Sequence, residues 1–144
     1  TRGGALDVIG ITLLCTASLI SSNTAGSTST ESIHHGGGIR IDSNAVVNLT
    51  NLKIEHCRAG VGGGVFVRNS VMVGTALQFT GNHAFDVGAA IASRFGLNFS
   101  IDTPRAVKCH SCNFTKNEVV RAGTGKALGT LLVPELKDTC HSRI

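Results

Sequence analysis

Tryptophan and tyrosine are absent, methionine occurs once, proline twice, and charged residues make up only 15% of the 144-residue chain. Each scarcity removes a class. A nucleic-acid binder shows a basic stripe with stacking aromatics, whereas the net charge of +4 is spread along this chain and aromatics are 4% of it. Disordered chains are poor in apolar residues and collagenous ones carry proline on a strict glycine period. A chain that is 42% hydrophobic with two prolines fits neither. Long hydrophobic runs are missing too. The apolar stretch from Ala5 to Ile20 is too short to span a bilayer comfortably and contains Asp7, so neither a membrane span nor a targeting segment is read into it.

What is abundant is glycine, at 18 residues, together with serine, threonine, valine and isoleucine. The glycines are not scattered. A unit of two or three small residues and an aliphatic one appears as Gly3-Gly4-Ala5-Leu6, Gly36-Gly37-Gly38-Ile39, Gly62-Gly63-Gly64-Val65 and Gly88-Ala89-Ala90-Ile91, with a degraded copy at Gly125-Lys126-Ala127-Leu128. A second unit follows each of the first four: Ile20-x-x-Asn23-x-Ala25, Ile54-x-x-Cys57-x-Ala59, Phe79-x-x-Asn82-x-Ala84 and Phe114-x-x-Asn117-x-Val119. Between the units, apolar residues alternate, as at Val65 and Val67 and again at Val71 and Val73. Short alternating segments broken by glycine are strands with tight bends.

A repeat of this kind predicts a β-solenoid, in which every copy packs only on its neighbours. Leu6, Ile39, Val65, Ile91 and Leu128 are expected in one interior column and Ile20, Ile54, Phe79 and Phe114 in another. Parallel strands about 4.8 Å apart make four to five turns roughly 20 Å tall. The whole of 1–144 reads as one such segment, with loop insertions at 26–35 and 100–108. Because the chain opens in mid-repeat and stops after a degraded copy, it reads as a piece of a longer solenoid whose open ends need caps or neighbours. The recurring Asn23, Asn82 and Asn117 favour an internal amide ladder over ordinary turn residues, interrupted at Cys57.

These paired units resemble the repeats of right-handed parallel β-helices of the pectin-lyase-like class, and are similar to those of polymorphic outer-membrane proteins and related adhesins. The resemblance runs over residues 3–130. Cys57 in place of asparagine and Ala89-Ala90 in place of Gly-Ala depart from it. It implies a secreted or surface-exposed scaffold, often adhesive, and it fixes no ligand, since the fold hosts enzymes and inert fibres alike.

Several residues invite a chemical reading. The sequons at Asn48, Asn98 and Asn113 all alternate with inward neighbours and so point outward, which favours N-linked glycans added in a secretory pathway. Five cysteines in a secreted chain suggest disulfides with one left over. Cys15 and Cys109 stand three turns apart, roughly 14 Å by the strand spacing, and so do not pair with each other. Cys109-His110-Ser111-Cys112 lacks the second ligand pair of a zinc site; it reads as a local disulfide, or as a buried Cys112 continuing the column of Leu52 and Leu77. Asp42, Arg68 and Arg94 recur at one position of successive copies, as do Arg58, His83 and Glu118. Such columns could hold an acidic sugar, but read as solvated ion ladders. His34 and His35, in a glycine-rich loop, read as surface residues.

No catalytic residue, metal or cofactor is assigned, because the nine acidic residues are mostly isolated. The expectation is a non-enzymatic, extracellular structural or adhesive glycoprotein at the cell surface. Its partners are neighbouring solenoid segments or other chains of a filament or appendage, and carbohydrate, but not nucleic acid. The rival expectations are a polysaccharide lyase or hydrolase and a bacterial autotransporter passenger.

Overall fold

The computed structural model of the chain describes residues 4–26, 34–94, 106–119 and 131–132. Those residues are all-β, with no helix, and every strand pairing is parallel. One sheet takes the strand that follows each glycine unit: β1 (Leu6–Ile9), β4 (Ile39–Asp42), β8 (Val65–Arg68), β12 (Ile91–Arg94) and β16 (Leu131–Leu132), in that order. A second joins β2 (Thr12–Thr16), β5 (Val46–Thr50), β9 (Val71–Thr75) and β13 (Ala106–His110). A third holds the closing anchors on β3 (Leu19–Ser21), β6 (Lys53–Glu55), β10 (Gln78–Thr80) and β14 (Asn113–Thr115). The fourth is β7 (Arg58–Val61), β11 (His83–Val87) and β15 (Glu118–Val119). Each repeat copy therefore lies beside the next, strand on strand.

Alternation sets what faces inward. Leu6, Ile39, Val65 and Ile91 share one register column, and Ile20, Ile54, Phe79 and Phe114 another. Together with Val47, Leu49, Leu52, Met72 and Leu77, all of these but Leu6 and Ile20 belong to the buried apolar cluster, and those two pack against it partly buried. Phe79 and Phe114 stack with ring centroids 5.1 Å apart, an offset arrangement that adds to the burial of their area.

Close approach of the copies explains the glycine unit. A Cβ on Gly63 would lie 2.3 Å from the His83 carbonyl oxygen and 2.5 Å from that of Ala89, with no side chain free to give way. Other bends do without glycine. Ala17, Asn51, Ala76 and Ser111 occupy the left-handed region at the bend before the closing anchor in successive copies, a conformation that costs an ordinary L-residue about 1–2 kcal/mol.

Three expectations are corrected. Ile91 pairs with Leu131, not Leu128; a degraded glycine unit does not fix register by itself, and the unit Gly125 to Leu128 lies outside the described residues. Of the insertion expected at 100–108, residues 106–108 lie in β13 and pair with Val71, Met72 and Val73, while 100–105 lie outside the described residues. The one at 26–35 ends in structure, with His35 bridged to Val61.

Candidate functional site

The outer face of the first sheet gathers most of the ionic chemistry of the described residues. One outward column runs Asp7, Arg40, Phe66, Ala92, and the next runs Ile9, Asp42, Arg68, Arg94. Both Arg40 and Asp42 are outward by alternation from Ile39 and Ile41, yet they are 6% and 1% exposed. The expected solvated ladder is therefore corrected at Asp42, which is buried beside Arg40, whereas Arg68, 41% exposed on its side chain, and Arg94 stand open to water.

Two acids and two guanidiniums balance in one lattice. Arg40 Nη1 donates to both oxygens of Asp7, at 2.9 and 3.1 Å, and its Nη2 donates to Asp42 Oδ2. Arg68 grips the same Asp42 carboxylate in a fork, Nε to Oδ1 at 2.8 Å and Nη2 to Oδ2. The Ser43 amide adds a bond to Oδ1 at 2.8 Å. Burial acts to raise the Asp42 pKa, but the Arg68 bonds and charge, then Arg40 and Ser43, outweigh it and hold the carboxyl below its usual range. The same bonds push the Arg68 guanidinium upward.

His35 closes one side of this lattice. Its ring stacks on Phe66 at a centroid distance of 4.3 Å, so it is not the surface residue that its glycine-rich surroundings suggested. Burial first, then the charges of Arg68, Arg40 and Arg94, lower its pKa and keep the imidazole neutral. Its Nδ1 and Arg40 Nε are buried without a hydrogen-bond partner among the described residues.

Asp7 and Arg40 escaped the sequence reading as members of an ionic column, and His35 was expected at the surface. The signal for the first two was present, since Asp7 and Arg40 each follow the aliphatic residue of a glycine unit, one copy apart. His35 gave none, because its contact with Phe66 is tertiary.

A second polar array runs inside. Asn82 donates to the Ile54 carbonyl at 2.8 Å and to Asn117 Oδ1 at 2.9 Å, while Asn117 donates to the Phe79 carbonyl at 2.9 Å. Each amide thus reaches back to the anchor of the preceding copy. Cys57 follows the same rule with its thiol, which lies 3.8 Å from the Ile20 carbonyl, and its amide donates to Asn82 Oδ1. Burial raises the Cys57 pKa, against a smaller lowering by Asn23. Asn23 donates to the Ser21 carbonyl at 2.9 Å.

The other candidate residues are placed as follows. Cys109 and Cys112 form a disulfide, and Cys112 is buried as well. Cys15, Leu49, Gly74 and Cys109 share a column, which puts Cys15 and Cys109 three copies apart. Asn48 is half-buried on the outer side of β5 and Asn113 is exposed on β14, whereas Asn98 lies outside the described residues. Arg58, His83 and Glu118 are aligned, with His83 Nδ1 3.8 Å from Glu118 Oε2. Among the described residues no three His, Cys, Asp or Glu side chains gather where they could hold a metal, and no helix is long and apolar enough to cross a membrane.

Comparison with protein-family models, with curated proteins and with solved structures finds no match.

Proposed function

We propose that the chain is a right-handed parallel β-helix of about four to five turns that serves as an extracellular structural or adhesive scaffold, bearing glycans at Asn48, Asn98 and Asn113. One observation carries the non-enzymatic part of this reading. Asp42, the buried carboxylate of the ionic face, is already occupied by two guanidiniums and a backbone amide. A general base must be free to take a proton from substrate, and a carboxylate held this way acts instead as a strut between copies. The strand-on-strand pairing of copies supports the rod, and the half-buried Asn48 and exposed Asn113 support outward glycans.

A second reading has its own observation. Arg94 is exposed and follows Arg68, whose side chain is 41% exposed, so two guanidiniums stand together where an acidic sugar could reach them. One experiment separates the readings: incubation with polygalacturonate, following chain cleavage, alongside Arg68→Ala and Arg94→Ala. No cleavage by the wild type is expected; cleavage lost in either variant establishes a polysaccharide-degrading enzyme. Intact mass before and after deglycosylation of protein from its natural source tests the glycans, and bare asparagines there remove the secreted reading.

A further inference from the structure

The outer face of the second sheet carries no charge over β2, β5 and β9. Outward positions on β5 are Val46, Asn48 and Thr50, and register fixes their neighbours: Leu14 on β2 and Val73 on β9 flank Asn48 across the sheet. The diagonal positions hold Thr12, Thr16, Val71 and Thr75. Leu14 and Val46 are 69% and 39% exposed, and Val71 and Val73 are half-buried. All four project from the same side of one sheet, so they make a single apolar patch around Asn48. The outer face of the first sheet is ionic instead, and that of the third carries Lys53, Glu55 and Gln78. Asparagine is disfavoured in strands, yet one stands half-buried at the centre of this patch. It opens the sequon Asn48-Leu49-Thr50, whose Thr50 lies outward and exposed beside it.

We infer that the first N-acetylglucosamine of a glycan on Asn48 lies flat on this patch and covers Leu14, Val46 and Val73, which makes that sugar a fixed part of the outer layer. The inference rests on the scaffold reading in taking Asn48 as glycosylated, and goes beyond it in giving one glycan a packing role. The chemistry suits the site. One face of a pyranose ring presents C–H groups while its rim presents hydroxyls, so a sugar laid on methyl groups removes hydrocarbon from water and keeps its polar rim wet. The neighbours divide in the same way: on the side away from Val46 the sugar meets the exposed hydroxyl column Thr16, Thr50 and Thr75. Reach is short as well. Neighbouring strands stand about 4.8 Å to either side, and a ring joined to the short asparagine side chain emerges at the height of the flanking methyls. An exposed apolar patch marks a surface that something engages, and a bulky glycan rooted at its centre holds off a second protein or a lipid surface. Asn113 is the contrast. It is exposed, its column neighbour Gln78 is exposed, and its Oδ1 accepts from Thr115 Oγ1 at 3.4 Å. A glycan there has polar neighbours and stands in water.

The test uses the 144-residue chain secreted from eukaryotic cells with oligomannose glycans, its occupancy at Asn48 and Asn113 read by peptide mapping. Endoglycosidase H trims the glycans of the folded protein to their first N-acetylglucosamine, and peptide N-glycosidase removes that one too. Trimming is expected to leave the unfolding midpoint unchanged, and complete removal to lower it by about 5 °C. Hydroxyl-radical footprinting is expected to find Leu14 and Val46 shielded in the trimmed form and oxidised several-fold faster in the bare one. Because peptide N-glycosidase leaves an aspartate, Asn48→Gln and Thr50→Val remove the sequon without a new charge; both are expected to melt with the bare form, and Asn113→Gln with the wild type. An occupied Asn48 whose glycan, when removed, moves neither midpoint nor footprint overturns the inference and leaves the scaffold standing, as does a bare Asn48 beside an occupied Asn113. Bare asparagines at both positions overturn the two together. Shielding of Leu14 that depends on protein concentration or on added phosphatidylcholine vesicles would assign the cover to a second copy or to lipid, and would overturn the inference as well.

Discussion

Two ladders cross the same copies, one inside and one outside, and each has a buried middle. The inner one, Ile20, Ile54, Phe79 and Phe114, is apolar and stacks like on like. The outer one, Asp7, Arg40, Asp42 and Arg68, alternates in sign. Repetition rewards identity when the groups are hydrocarbon and punishes it when they are charged. The two ladders therefore fail differently. An inner truncation leaves a hole, while an outer one leaves a charge without its partner.

Phe79→Ala is the largest break expected. The ring is fully buried and stacked on Phe114, and removing it costs about 4 kcal/mol through lost burial and the cavity left behind. Denaturant unfolding measures this directly, and a loss below that of an exposed substitution would mean that the column does not hold the copies together. Asp42→Ala follows, at about 3 kcal/mol, because the carboxylate between Arg40 and Arg68 is lost and buried Arg40 keeps only Asp7 at the edge of the lattice. The comparison predicts its own remedy. Arg40→Met combined with Asp42→Leu should recover much of that loss, since a buried ion pair replaced by packed hydrocarbon is often neutral. No substitution of that kind rescues Phe79→Ala.

Acid separates the ladders without mutation. His35 has a lowered pKa in the folded chain, so below its ordinary value of about 6.5 the unfolded chain binds a proton that the folded chain does not. Stability therefore falls as pH drops through that value. The Asp42 carboxyl, also lowered, supports the fold above its ordinary value of about 3.9, and this support is lost as pH falls through its lower folded value. His35→Phe keeps the stack on Phe66, removes the titration and removes the unpartnered Nδ1. The variant is expected to match or exceed the wild type at neutral pH by up to about 1 kcal/mol and to lose the first acid step while keeping the second. A first step that persists in it would assign that step to another group.

The inner ladder was legible in the sequence and the outer one only half so. Ile20, Ile54, Phe79 and Phe114 announce themselves because a recurring apolar residue before a recurring asparagine has a register even before folding. Asp42, Arg68 and Arg94 were equally visible as a column, but not the burial of Asp42. Whether an outward face meets water depends on what lies over it, such as His35 on Phe66, and this contact has no period. Cys57 shows the opposite limit: it looks like a break in the asparagine column, yet its thiol and amide keep the column's bonding pattern. Leu131 in place of Leu128 marks where the repeat has decayed too far for glycine spacing to carry register.

The smallest effect makes the sharpest test of the comparison. Arg58, His83 and Glu118 form a column as regular as that of Asp42 and Arg68, but its charged ends face water, with Glu118 68% exposed on its side chain. If regular spacing were what made an ionic column valuable, His83 and Glu118 would couple as strongly as Arg68 and Asp42. If burial is what matters, water and salt screen the pair at 3.8 Å, and a double-mutant cycle of His83→Ala with Glu118→Ala gives a coupling under about 0.5 kcal/mol that disappears in high salt. A coupling near that of the buried lattice would make register, not burial, the source of its strength, and the outer ladder would then owe nothing to being covered.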